Sequence, residues 1–228
     1  MFDTPAPRRR YQSARRQAQA AATRRDIVHT ARRLFRERGY PATTVADVAR
    51  AAGVSTKTVY LAFATKRDLL LAVWDSAISG KDDAVPVAER DWFREALEAA
   101  DPYEQLELVA RNSRQVKERA ADMMEVVRSA ASVDPELAQL WRGMQEEFHA
   151  NQRVVIEALA DKGRLRNGLD VDDATDLLWT LNHPSVYQLL VEQRGWSPER
   201  YERWLATLLR QQLTDSPEAE RSLRAPPT

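Results

Sequence analysis

Cysteine is missing from all 228 positions, which excludes a disulfide scaffold and thiol catalysis. Histidine is scarce: His29, His149 and His183 are the only side-chain nitrogen ligands of that type. No stretch of 18 apolar residues occurs, so no membrane span is expected. Residues 1–19 are polar and arginine-rich, without the apolar segment of a secretion signal, so a soluble cytoplasmic protein is expected. The patterns GxGxxG, GxxxxGK[ST], HExxH and GxSxG are all absent, which removes support for phosphate-loop, zincin and hydrolase-elbow chemistry. A single Glu-x-x-His step, Glu146 to His149, has the spacing used in di-iron bundles. Such sites need two copies and two further glutamates, and the nearest second candidate, Asp26 to His29, lies in a basic region. The expectation is a protein that is not an enzyme and needs no metal or cofactor.

What is present is a hydrophobic content of 43%, enough for a real core, and a charge balance of zero that hides an asymmetry. Residues 1–80 hold 15 Lys and Arg against 6 Asp and Glu, a balance of +9, which leaves −9 for residues 81–228. The basic end is where phosphate could be neutralised.

That end contains a distinctive segment, Thr44 to Phe63. Thr44 with Asp47 three residues on opens a helix as a capping box, with Val45, Val48, Ala49 and Ala52 facing inward. Gly53 ends it in a left-handed turn, and Ser55 caps a second helix whose Val59 and Phe63 share one face. Thr56, Lys57, Thr58 and Tyr60 are left to look outward. Two short helices so joined make a helix-turn-helix, the second entering the major groove of double-stranded DNA by its N-terminal end. A helix before it opens at Thr23, with Ile27, Ala31, Leu34 and Phe35 as its stripe, and closes at Gly39; another opens at Thr65 with Asp68 at its third position and runs to about Ser79.

The order Thr44, Ala49, Ala52-Gly53-Val54-Ser55, Thr58-Val59-Tyr60, Phe63 and Lys66 resembles the DNA-binding segment of TetR-family transcriptional regulators, over about Thr23 to Leu71. Two positions depart from it: Lys57 stands where that family often has Gly, and Ala62 where it often has His. The expected DNA contacts are Thr44, Ser55, Thr56, Lys57, Thr58, Tyr60 and Lys66. Lys57 is the candidate base reader because its amine can donate to guanine, with a phosphate contact as the competing role. Tyr60 and Lys66 match family positions that hold the DNA backbone.

The remainder reads as helix throughout. Residues 1–22, with Arg8-Arg9-Arg10 and Arg15-Arg16, are expected to form a flexible basic arm, 23–79 the DNA-binding domain, 80–215 a regulatory and dimerisation domain, and 216–228 a disordered tail. Asp101-Pro102 and Asp134-Pro135 start two long helices, after a short one around Trp92-Phe93 and Leu97. A helix over 171–194 is apolar nearly all round, and Ser197-Pro198 starts the last one. Their apolar excess predicts a homodimer interface containing Leu189, Leu190, Trp204, Leu205, Leu208 and Leu209. The fold expected is all-α: an N-terminal three-helix, helix-turn-helix DNA-binding domain joined to a larger helical bundle for ligand binding and dimerisation. In regulators of this kind the bundle holds a small molecule. Candidate walls for a small apolar or aromatic ligand are Met123, Met124, Trp141, Met144, Phe148, Trp179, His183 and Tyr187, with His183-Pro184 as a helix kink or break. The function expected is a ligand-responsive repressor on a palindromic operator, with a DNA-binding factor lacking a small-molecule ligand as the alternative.

Overall fold

A run of strong helix formers precedes Thr23, and it decides where the first helix begins. In the computed structural model, which describes residues 8–79 and 85–215 without the side chains of 8–14, α1 spans Arg8–Arg38. The expected start at Thr23 is corrected, and residues 8–22 are helix rather than loose arm; residues 1–7 and the expected tail at 216–228 lie outside the described residues. Ala, Arg and Gln extend a helix at little cost per residue once an apolar stripe has nucleated it. That stripe, Ile27, Ala31, Leu34 and Phe35, is buried.

Beyond α1 the chain forms α2 (Val45–Ala51), α3 (Thr56–Ala62) and α4 (Lys66–Ser79). These pack on α1 around Val48, Val59, Phe63, Leu69 and Val73. Thr43, fully buried, ties down the end of α1 by donating from its hydroxyl to the carbonyls of Gly39 (2.9 Å) and Leu34 (3.2 Å). Gly39 turns there with φ +79°, a conformation a side chain would strain. The chain divides into two compact units, Met1–Ala84 and Val85–Thr228.

The second unit contains α5 (Asp91–Glu98), α6 (Pro102–Ala131), α7 (Pro135–Asp161), α8 (Val171–Leu181), α9 (Pro184–Tyr187) and α10 (Pro198–Leu213). The long helices open as expected, with Asp101 accepting from the Tyr103 amide at 3.0 Å and Asp134 from the Glu136 amide at 2.9 Å. Leu106 and Val109 of α6, Ile156 and Leu159 of α7, Leu178 of α8 and Tyr201, Leu205, Leu209 and Leu213 of α10 form the core. Among the described residues there is no strand.

The helix expected over 171–194 is not continuous. Asn182 ends α8, and His183 caps α9 by accepting the Ser185 amide on Nδ1 at 3.2 Å. Pro184 occupies the first turn of a new helix, where its missing N–H costs nothing, and the chain runs on as a π-helical turn over Gln188–Gln193. The Thr180 carbonyl, which the proline cannot reach with an N–H, accepts from the His183 amide at 3.2 Å.

Candidate nucleic-acid interface

The reading turn is built from bonds between near neighbours in sequence. The Thr44 hydroxyl accepts the Asp47 amide at 3.1 Å, the Asp47 carboxylate accepts the Thr44 amide at 3.1 Å, and the Thr44 hydroxyl donates to that carboxylate at 2.6 Å. These bonds to Thr44 hold the Asp47 carboxyl below its usual range. Gly53 reverses the chain at φ +68°. Ser55 Oγ then accepts the Thr58 amide at 3.1 Å and shares a hydrogen with the Thr58 hydroxyl at 2.8 Å, which starts α3. Thr65 and Asp68 repeat the reciprocal cap at the start of α4, at 2.9 and 3.0 Å.

Every hydroxyl in these caps is already engaged, so Thr44, Ser55 and Thr58 shape the turn. Thr44, Ser55, Thr56 and Lys57 are exposed and Thr58 is half-buried. Lys66 departs further from its expected role: Nζ donates to the Tyr40 carbonyl at 2.6 Å and sits 4.0 Å above the Tyr40 ring, so it links α4 to the turn after α1. Tyr60 is 52% exposed and has its ring available to a backbone.

Two residues escaped the sequence reading. Arg24 of α1 donates to the Ala62 carbonyl at 2.5 Å and lies 4.0 Å over the Phe63 ring, which fixes the C-terminal end of α3. Leu61 is 79% exposed. At about 100° per residue, Lys57 and Leu61 each lie about 160° from the buried Val59, so together they define the outermost line of α3. The relevant signal was the i, i+4 spacing of Lys57 and Leu61 around Val59.

In the second unit the structure joins part of the expected pocket. Phe148 and Trp179 pack against His183 with ring centres 6.4 and 5.1 Å away. Gln145, Glu146, His149, Asp176 and Trp179 line a groove of about 330 Å³ between α7 and α8. Met123 is wholly buried core, and Tyr187 packs edge-on to Tyr201 at 4.9 Å; Met124, Trp141 and Met144 are half-buried and line no part of this groove. His149 meets Asp176 at 2.8 Å, and among the described residues no three metal-ligating groups come together. Of the expected interface residues, Leu205 and Leu209 are corrected: both are fully buried within one protomer, because they continue the inward stripe of Tyr201 and Leu213. Leu189 is 51% exposed, and Leu190, Trp204 and Leu208 are half-buried.

Residues 27–73 match the family model for bacterial regulatory proteins of the tetR family, and residues 102–214 that for the C-terminal part of BetI-type transcriptional repressors. The chain belongs to the TetR family of transcriptional regulators. Among relatives, the regulator CymR of Pseudomonas putida is 32% identical over 200 residues, covering 86% of this chain and 90% of CymR. The fold is shared with a regulator from Saccharomonospora viridis in complex with choline (TM-score 0.64, 21% identity, 85% of this chain and 98% of that one). It is shared also with FadR of Bacillus subtilis in complex with stearoyl-CoA (TM-score 0.65, 20% identity, 82% and 97%). The protein is thus a DNA-binding regulator and not an enzyme, and no described helix is long and apolar enough to cross a membrane.

Proposed function

We propose that this TetR-family regulator is a cytoplasmic repressor that binds a palindromic operator as a homodimer and leaves it when a small molecule occupies its second unit. The observation that carries the reading is the outer line of α3, where Lys57 and Leu61 stand opposite the buried Val59 at the basic end of the chain. A lysine amine suits guanine O6 and N7, and an apolar side chain suits the thymine methyl, so this line can tell base pairs apart. Thr56 flanks it, Tyr60 is placed for phosphate, and the caps at Thr44 and Ser55 present helix N-terminal amides to the same backbone. Lys66 serves this site by positioning α4.

The dimer contact is assigned to the exposed Leu189 and to the half-buried Leu190, Trp204 and Leu208, which leave part of their apolar surface outside the protomer core. Fold neighbours hold ligands as different as choline and stearoyl-CoA, which supports a ligand-responsive second unit without fixing the chemistry of its occupant. Light scattering tests the assembly, with twice 26.0 kDa expected. A reporter gene placed behind the bound DNA site tests the sign: expression of this chain lowers transcription if it represses, and raised transcription refutes the repressor reading.

A further inference from the structure

The second unit buries an amine that no carboxylate among the described residues balances. Lys117 of α6 is 5% exposed, and its Nζ donates to Ser113 Oγ (2.5 Å), Asn182 Oδ1 (2.6 Å) and the Tyr201 hydroxyl (2.9 Å). All three acceptors are neutral. No carboxylate among the described residues pairs with it; the adjacent Glu118 is held by Arg114. A lone ammonium in a dry interior is strongly unfavourable and is ordinarily met by an anion. Burial accordingly holds the Lys117 amine well below its usual range.

A second group nearby lacks a partner of the same kind. The indole N–H of Trp179 is buried and has no acceptor among the described residues, and an indole nitrogen can only donate. Trp179 walls the groove between α7 and α8, and its ring lies 5.1 Å from His183. His183 in turn meets Gln145 of the groove at 3.2 Å, and burial, with the Lys117 charge as a lesser cause, lowers its pKa. The buried amine connects to this wall through Asn182, which accepts from Lys117 and directly precedes His183 in the chain. The acidic groups facing the groove, Glu146 and Asp176, are exposed to water, and Asp176 is engaged by His149 at 2.8 Å.

We infer that the ligand of this regulator is an organic anion, a carboxylate or similar oxyanion on an apolar or aromatic body, whose charge is met by Lys117 and whose free lone pair is met by Trp179. The inference rests on the ligand-responsive reading above. The same ammonium repels a quaternary ammonium of equal size. An anion that draws Lys117 away competes with Asn182, which ends α8 at its break with α9, and with Tyr201 of α10. Ligand charge thereby acts on the helices that carry Leu189 and Trp204.

Thermal melts of the full chain against size-matched trios test this: benzoate, benzamide and benzyltrimethylammonium, then octanoate, octanol and octyltrimethylammonium. The expected result is a melting temperature raised by several degrees by the anion of at least one trio and unmoved by its neutral and cationic partners. Lys117→Met, checked for helical content by circular dichroism, abolishes that rise, and Trp179→Phe, which keeps a ring but removes the donor, reduces it. A neutral or cationic member acting as strongly as its anion, or an anion effect that survives Lys117→Met, overturns the inference while leaving a ligand-responsive regulator. Failure of every member of both trios overturns the inference and counts against ligand response as well.

Discussion

The caps of the helix-turn-helix and the polar core of the α5–α10 unit differ in how far their groups reach, although Arg24 and Lys66 also link distant residues beside those caps. In the first, the bonds that shape the reading turn span three residues: Thr44 to Asp47, Ser55 to Thr58, Thr65 to Asp68. In the second, Lys117 reaches Asn182 and Tyr201, and Gln105 donates to the Val155 carbonyl at 2.9 Å and accepts from Lys162. The first arrangement frees an outward face, since the polar groups saturate one another locally and the apolar groups are packed beneath. The second ties distant helices through buried polar contacts, so that a change at one contact is felt on several elements.

The largest effect separates the two apolar populations of the last helices. Leu205→Glu places a charge in a dry core at a cost of several kcal/mol, against a typical domain stability of about 5–15 kcal/mol, and circular dichroism should show the second unit unfolded. Leu189→Glu, at an exposed position, should keep its helical content and instead give monomers in light scattering. Folded monomers from Leu205→Glu would mean that α10 packs otherwise.

Next in size, Lys57→Ala should cost about 1–3 kcal/mol on the preferred duplex and much less on scrambled DNA, measured by fluorescence anisotropy. Equal losses on both would make Lys57 a phosphate contact and pass base reading to Thr56, Thr58 and Leu61.

Lys117 sharpens the comparison through pH. Its folded pKa is depressed below the ordinary 10.5, so between those two values the unfolded chain holds the extra proton and stability rises with pH. The parent should therefore gain stability relative to Lys117→Met as pH climbs through that window, by at most about 1.4 kcal/mol per unit. A difference independent of pH would show that Lys117 titrates normally.

Smaller still, Thr44→Ala should remove about 1 kcal/mol of stability from the first unit and weaken specific and scrambled DNA alike, because its hydroxyl is engaged in the cap. The smallest effect belongs to Leu61. Replacing the contacted thymine by deoxyuridine should cost the parent about 0.8 kcal/mol, one methyl's burial, and cost Leu61→Ala nothing; an identical loss in both proteins removes Leu61 from the readout.

The two units were unequally legible in the sequence for the same reason that they differ physically. Caps announce themselves at fixed short spacing, so α2, α3 and α4 and the turn at Gly53 could be placed from Thr44, Ser55 and Thr65. Leu61 was missed because the outward face was assigned to polar side chains alone, although the inward Val59 already placed it there. The start of α1 was missed because the scarcity of large apolar residues before Thr23 resembles disorder, although Ala, Arg and Gln favour helix. In the second unit, the apolar excess of the last helices gave no sign of which residues the protomer itself covers, and Leu205 and Leu209 were assigned outward. Lys117 carried no signal, since its partners Asn182 and Tyr201 lie far away in sequence and meet it only once α6, α8 and α10 pack.

Selection of bound duplexes from a random library by the full-length protein tests the central claim most directly. An exposed Lys57 and Leu61 line repeated about a two-fold axis predicts enrichment of an imperfect inverted repeat, with half-site centres about one helical turn or a multiple apart. Recovery of duplexes with no shared sequence, or of a motif without two-fold symmetry, would contradict it.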